Sequence, residues 1–230
     1  ELREAYDALD EMFFHESDNH VYSVRLNRTK GTLDEVFTVQ PLDVGKSLNE
    51  SLYAETRSVV YASATLAVDG QFDAFERAVG FNEGGDSQAD VLKVDSSFDF
   101  DANMRVYVPS DMPEPQDPAY LPTLESFLID LHRAQHGSML TLFTNRREME
   151  QCFDEVHPAL KEDDLRLVCQ KWGVSVKGLR DDFLKDEHLS LFALKSFWEG
   201  FDAPGATLKG VVIPKLPFGL PTDPLSCERQ

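Results

Sequence analysis

The sequence predicts an α/β protein whose C-terminal part carries a mostly parallel β-sheet flanked by helices. From residue 139 onward, short apolar runs alternate with stretches whose apolar residues recur at helical spacing. That alternation is typical of β–α–β units. Ahead of it, strand and helix patterns are mixed without a regular order, which indicates an N-terminal α+β segment. A hydrophobic content of 42% with 16 phenylalanines indicates a packed protein.

The first 81 residues form the predicted α+β segment. Apolar spacing, β-branched runs and turn residues predict a helix over 2–14, strands over 21–26 and 36–39, a helix over 44–52, a strand over 58–62 and a helix over 72–79. Gly80 is expected to close the last of these helices. The Gly-, Asp- and Ser-rich stretch 82–88 then indicates a boundary.

Residues 82–117 are predicted to connect this segment to a second domain over 118–230. The connection contains a strand-like piece over 105–108 and several prolines. Asp117 and Gly137 are expected to bracket a helix over 118–135. The elements predicted after it are strands over 139–144, 165–169, 189–194 and 208–213, and helices over 147–156 and 176–184.

Composition limits the possible functions. A formal net charge of −19 argues against a protein that coats nucleic acid, so any contact with a polyanion must be local. Three widely separated cysteines without a Cys-x-x-Cys pair indicate neither disulfides nor a metal site. No apolar run approaches the roughly 18 residues of a membrane span, and the start does not resemble a signal peptide. We therefore expect a cytoplasmic protein without membrane contact.

Common catalytic motifs are missing from these 230 residues. There is no complete phosphate loop, no Gly-x-Gly-x-x-Gly fingerprint and no Gly-x-Ser-x-Gly elbow. His132 and His136 have the spacing of a metal-binding pair, but without a third ligand they are interpreted as exposed helix histidines. Asp99 and Asp101 lie in a strand-like run and are interpreted as solvated acids.

Two loops at strand ends are the candidate sites. Residues 144–147 join a strand to a helix, where free N–H groups and two arginines favour an anion; surface charge is the alternative. Residues 196–205 combine aromatic rings, acids and glycines after an apolar run. Such residues can stack on bases, accept from sugar hydroxyls and approach phosphate. The alternative is a turn whose aromatic side chains cap a core.

The order of these segments resembles a known family. Ser63-Ala64-Thr65-Leu66 resembles helicase motif III, Leu142-Phe143-Thr144-Asn145 resembles motif IV, and the segment 196–205 closely resembles motif V of DinG/XPD-like superfamily 2 DNA helicases. The similarity continues through 106–113, 169–173, 212–218 and 221–224, in order from about Val21 to the end. It departs from the usual family pattern at positions such as Asn145, Arg146, Phe201 and Ala203.

This resemblance implies a RecA-like second motor domain and specific residue roles. By resemblance, Thr144, Asn145, Arg146 and Ser196 contact single-stranded DNA, and Trp198 either stacks on a base or packs inside. Asp202 accepts from the ATP ribose, with Glu199 and Gly200 shaping its loop. Ser63 and Thr65 couple the nucleotide to DNA movement. ATP and Mg²⁺ are the implied cofactors of the intact protein, and none is expected to bind the fragment alone.

The chain is therefore expected to be the C-terminal part of a DinG-type, ATP-dependent DNA helicase. Residues 1–81 would end the first motor domain. The phosphate loop and the Asp-Glu-x-His box would lie upstream, and motif VI downstream, so the chain alone is expected to be inactive. The alternative is a stand-alone α/β interaction or regulatory module of helicase-like fold. A small-molecule enzyme ranks last, because no nucleophile–base pair accompanies the loop 196–205.

Overall fold

A computed structural model describes residues 2–14, 18–29, 32–81, 89–218 and 223–228. The chain divides into two compact units. The first comprises Glu1–Met104 and Gly219–Gln230, and the second comprises Arg105–Phe218. The sequence instead divides the chain at residues 81 and 117, and its assignment of those parts to motor domains stays a prediction. The predicted boundary stretch 82–88 lies outside the described residues.

The described elements follow one another along both units. In chain order they are α1 (Leu2–Phe14), β1 (His20–Thr29), β2 (Thr32–Pro41), α2 (Gly45–Leu48), a π turn (Asn49–Tyr53), α3 (Asp73–Ala78), α4 (Phe100–Asn103), α5 (Tyr120–Gln135), β3 (Met139–Leu142), α6 (Arg146–Glu162), β4 (Leu167–Cys169), α7 (Val176–Lys185), β5 (Ser190–Ala193), 3₁₀ turns at Lys195–Phe197 and Gly205–Thr207, β6 (Gly210–Val212) and α8 (Pro224–Glu228).

The first unit contains an antiparallel hairpin of β1 and β2, in which Val24 lies opposite Phe37. The helix over 2–14 and both strands are confirmed, with the strands longer than the sequence predicts. Beyond the hairpin, α2 and α3 meet at two glycines. A Cβ on Gly45 would lie 2.6 Å from the Cα of Gly80, so side chains are excluded from both positions. Gly80 also has a φ of +75°, as expected for a residue that closes a helix.

Tyrosine and phenylalanine rings join the π turn after α2 to the end of α3. The Tyr53 hydroxyl lies 2.9 Å from both the Val79 carbonyl and the Tyr61 hydroxyl. Because the carbonyl can only accept, Tyr53 donates to Val79 and Tyr61 donates to Tyr53. Phe81 stacks on Tyr53 with 5.4 Å between ring centroids. Burial, followed by the Tyr61 contact, raises the pKa of Tyr53 to about 12.

Two predicted strands are wrong. Residues 58–62 and 105–108 are without assigned strand structure, and Val60, Val106 and Tyr107 are all exposed. A β-branched run favours an extended backbone, but a strand also needs a neighbour that accepts and donates its hydrogen bonds. The strand-like interpretation of Asp99 and Asp101 is also wrong, because the Asp99 carboxylate caps α4 by accepting from Ala102 N–H at 3.0 Å.

The second unit confirms the α/β class. Its four strands are all parallel and lie in the order β4–β5–β3–β6. Consecutive residues of β5 face opposite ways: Phe192 joins a core with α5 and α6, whereas Leu191 joins a second core with α7. The sheet therefore has a helix layer on each face, as parallel sheets require.

The boundaries of helices α5 and α6 differ from the predicted ones for local reasons. Helix α5 begins at Tyr120, and Asp117 accepts from Ala119 N–H ahead of it. After α5, Gly137 has a φ of +87°, and a Cβ there would collide with the His188 carbonyl. Helix α6 continues to Glu162 although it contains Pro158. Full burial of Leu160 keeps that last turn helical where the proline alone predicts an end.

His132 corrects another sequence interpretation, because it is fully buried rather than exposed. Its Nδ1 lies 2.6 Å from the Leu128 carbonyl, which can only accept, so Nδ1 carries the hydrogen. Its Nε2 is buried without a hydrogen-bond partner. Burial lowers the pKa of His132 below its ordinary 6.5. Within the described ranges, no helix combines the length and the apolar character needed to cross a membrane.

Candidate nucleic-acid interface

The parallel strands of the second unit end at one edge of the sheet, here called the carboxyl edge. Thr144 follows β3, Gln170 follows β4 and Ser196 follows β5. Loops at the carboxyl ends of parallel strands are the usual place for ligand contacts in open α/β sheets. The sequence-predicted residues of segments 144–147 and 196–205 thus share this edge.

Asn145 is the N-cap of α6. Its side-chain oxygen accepts a hydrogen bond from Glu148 N–H at 3.0 Å, and its backbone is extended. Thr144 and Asn145 are both exposed. A 17-residue helix therefore begins directly behind two exposed polar residues. The positive end of its dipole favours an anion at this position.

Arg146 is held by three contacts with the protein. Its Nη1 donates to the Gln170 carbonyl at 2.8 Å and lies 3.6 Å from a Glu150 carboxylate oxygen. Its guanidinium also lies over the Trp172 ring, 4.8 Å from the centroid. The charge of Arg146 is thereby partly balanced, and its orientation is fixed.

Gln170 connects β4 to the loop after β5, and sequence reasoning missed it. Its side chain is 8% exposed, and its Oε1 accepts from Leu194 N–H at 2.9 Å. That contact fixes the orientation of the amide, so Nε2 donates to Ser196 Oγ, also at 2.9 Å. Ser196 Oγ is thus an acceptor toward Gln170, and its own hydrogen can be donated to a ligand. The signal available in the sequence was a polar residue directly after a buried strand.

Arg180 is a second residue that sequence reasoning missed. From α7 its Nη2 donates to the Ser196 carbonyl at 2.7 Å, and its Nη1 lies 3.4 Å from the Gly200 carbonyl. The guanidinium also lies over the rings of Phe197 and Phe201, 5.3 and 5.6 Å from their centroids. One side chain therefore holds both ends of the turn 196–200. A single arginine in a polar helix face carried no signal for this role.

Trp198 takes the packed arrangement that the sequence left open. Its ring packs against the core formed by β5 and α7, and its Nε1 lies 3.4 Å from the Phe143 carbonyl. Phe197 is buried in the same core. Residues Lys195–Phe197 form a 3₁₀ turn, so the two rings do not alternate as they would along an extended strand. The role of Trp198 in DNA contact stays a prediction.

The remaining loop residues, Glu199, Gly200 and Asp202, are exposed. Gly200 and Gly205 have φ values of +64° and +77°, and a Cβ added at either position would meet no atom within 4 Å. Backbone conformation therefore explains both glycines. In the first unit, Ser63 and Thr65 are exposed as well, and Thr65 N–H donates to Ser63 Oγ at 3.2 Å.

Cys152 and Cys169 are buried, and burial is the largest cause that raises the pKa of each to about 12. Across the described part of the chain, no group of three or more His, Cys, Asp and Glu residues is arranged to hold a metal ion.

Comparison with known protein families identifies the class of the C-terminal part of the chain. Residues 128–230 match the family described as the helicase C-terminal domain. This match covers the whole β3–β6 sheet and its carboxyl edge.

Similarity to complete proteins extends beyond that domain. The chain is 32% identical over 195 residues to the ATP-dependent DNA helicase DinG of Photobacterium profundum, covering 84% of this chain and 28% of that protein. It is 28% identical over 229 residues to the 3'-5' exonuclease DinG of Bacillus subtilis, covering 97% and 24%. It is 30% identical over 186 residues to the ATP-dependent DNA helicase YoaA of Escherichia coli, covering 80% and 28%. The chain is thus similar to DinG-type helicases over most of its length, and it spans about a quarter of the length of these relatives.

Proposed function

We propose that this chain is part of an ATP-dependent DNA helicase, in which residues 118–230 supply the second RecA-like motor domain. Residues 1–81 would end the first motor domain. The observation that carries the proposal is the carboxyl edge, where Asn145 caps α6 and the hydroxyl of Ser196 is oriented by Gln170. Both belong to a chain that is similar to two proteins named ATP-dependent DNA helicases.

The carboxyl edge suits the backbone of single-stranded DNA. Thr144, Asn145 and Ser196 offer hydroxyl, amide and N–H groups, which bind phosphate without reading sequence. Arg146 adds a cation whose orientation is fixed. These few contacts in one place reconcile DNA binding with a chain of net charge −19.

The exposed part of the loop 196–205 suits the nucleotide. In this proposal Asp202 accepts from the ATP ribose, while Glu199 and the positive φ of Gly200 shape the loop. Ser63 and Thr65 couple nucleotide state to DNA movement. ATP and Mg²⁺ are the cofactors proposed for the intact motor. The chain thus contributes one side of an ATP site.

The proposal is tested by DNA binding and ATP turnover of the 230-residue chain. We expect a thymidine oligonucleotide of about 20 nucleotides to bind, and Ser196→Ala to weaken binding by roughly 10-fold, as expected for a lost hydrogen bond to a charged group. Ser126→Ala, an exposed serine of α5, is the matched control. No ATP hydrolysis is expected from the chain alone, because it has no complete phosphate loop.

Two outcomes would overturn the proposal. DNA-stimulated ATP hydrolysis by these 230 residues would refute an incomplete motor. Absence of DNA binding would favour the stand-alone module. A phosphate loop upstream and motif VI arginines downstream in the same reading frame would support the motor.

A further inference from the structure

We propose that Trp172 is a stacking surface for a base of single-stranded DNA at the carboxyl edge. This inference rests on the proposed function and adds a base contact to its phosphate contacts. It assigns the stacking role to Trp172 instead of Trp198, whose ring is partly buried and packs against the core.

The position of Trp172 is set by a tight turn after β4. Val174 N–H donates to the Lys171 carbonyl at 3.3 Å, and Gly173 between them has a φ of +79°. Trp172 therefore lies at the outer corner of the turn, and it is 83% exposed. Exposing a large indole to water is unfavourable, so a stacked ligand there gains from covering it.

Trp172 is joined to the proposed phosphate-binding residues by direct contacts. Arg146 lies over its ring at 4.8 Å, and the same guanidinium donates to the Gln170 carbonyl at 2.8 Å. Gln170 in turn donates to Ser196 Oγ at 2.9 Å. The indole, the cation and the oriented hydroxyl thus form one connected set, which links a base-sized aromatic surface to a phosphate-binding group.

The contacts of Arg146 favour a base as the occupant. Its charge is already shared with Glu150 at 3.6 Å and with a carbonyl, so besides its proposed contact with phosphate it holds the indole ring in place. The residues linked to Trp172 are cationic or polar, whereas the centre of a protein-binding surface is apolar. Base stacking on an aromatic ring also tolerates any sequence, as the proposed translocation requires.

The test uses the fact that the chain has two tryptophans. In a Trp198→Phe variant, Trp172 is the remaining one, and its fluorescence should be quenched when a thymidine oligonucleotide of about 20 nucleotides binds. Trp172→Ala should weaken binding by about 5- to 150-fold, the range of one stacked base. Trp172→Phe should retain part of this affinity, because it keeps a ring.

An abasic oligonucleotide of the same length separates stacking from phosphate contact, because Trp172→Ala should not change its affinity. Tyr107→Ala is the matched control, since Tyr107 is an equally exposed aromatic residue of the same unit, at 84%. If the chain binds the thymidine strand while Trp172→Ala leaves its affinity unchanged, or Trp172 is not quenched, the inference is wrong and the proposed function stands. If the chain binds no DNA, both are wrong.

Discussion

At the scale of single residues, the Gln170 amide determines what Ser196 can do. Its Oε1 is fixed by Leu194 N–H, so its NH₂ group faces the serine oxygen. The Ser196 hydroxyl is then left as a donor, which is the polarity needed for a phosphate oxygen. A buried residue thereby controls the hydrogen-bond polarity of an exposed one.

The first prediction concerns a variant that reverses the hydrogen-bond polarity of Ser196. Gln170→Glu still accepts from Leu194 N–H, but its second oxygen also accepts and would attract the Ser196 hydrogen. Affinity for a thymidine oligonucleotide, measured by fluorescence anisotropy, should fall by about 10-fold. Adding Ser196→Ala to Gln170→Glu should then cost little more.

The control for Gln170→Glu is Gln151→Glu, which adds the same charge at an exposed position of α6. It should bind DNA like the wild type. Fully additive effects of Gln170→Glu and Ser196→Ala would show that Gln170 does not act through the serine.

The second prediction concerns the buried imidazole of His132. Because burial lowers its pKa below 6.5, the folded chain keeps it neutral while the unfolded chain protonates it near that pH. Its contribution to the free energy of unfolding is therefore fully present above about pH 6.5 and is lost as pH falls through the lower folded pKa. The free energy of unfolding, measured with denaturant, should fall more between pH 7.5 and 5.5 for the wild type than for His132→Phe.

The exposed His188 provides the comparison, since His188→Gln should keep the pH dependence of the wild type. If the free energy of unfolding varied with pH in the same way for the wild type and His132→Phe, a buried neutral imidazole would be contradicted. Differences between curves are used because the remaining titratable groups contribute equally to both.

At the scale of elements, the loop 196–205 depends on α7 for its conformation. Arg180 binds the carbonyls of Ser196 and Gly200 and covers two phenylalanine rings. A planar guanidinium can serve all of these contacts at once, which an ammonium group cannot.

The third prediction concerns a variant that lacks the Arg180 guanidinium. Arg180→Met keeps a long apolar side chain on α7 but loses both hydrogen bonds, so backbone amides of 196–205 should exchange hydrogen about 10-fold faster, as for a loss of roughly 1–1.5 kcal/mol. Mass spectrometry of exchanged peptides measures this effect. Arg166→Met, which removes an exposed ion pair with Asp186, should leave the exchange of 196–205 unchanged. Equal exchange in both variants would exclude the role of Arg180.

At the scale of the whole molecule, the acidic charge limits how the proposed DNA ligand can bind. Each phosphate contact on a single strand lowers the slope of log affinity against log salt by about 0.7. With a net charge of −19 and the proposed DNA contacts confined to the carboxyl edge, we expect a shallow total slope of about −1 to −2.

The fourth prediction tests this confinement. Arg147→Ala, at an exposed position of the carboxyl edge, should bring the slope closer to zero by about 0.7. Lys209→Ala removes an exposed cation just before β6, at the opposite edge of the parallel sheet, and should leave the slope unchanged. Equal effects of both variants would indicate diffuse attraction by the surface.

The sequence by itself determined the α/β class, the parallel sheet and the two loops of the carboxyl edge. Hydrophobic periodicity and capping residues such as Asn145 act over a few neighbouring positions, so they can be interpreted locally. Tertiary structure alone decided that 58–62 and 105–108 are not strands, because that depends on a neighbouring strand. It also decided that His132 is buried, that Gln170 and Arg180 hold Ser196, and that Trp172 is the exposed indole. Each of these depends on residues at least 16 positions apart in the chain that folding brings into contact, or on burial that no short stretch of sequence defines.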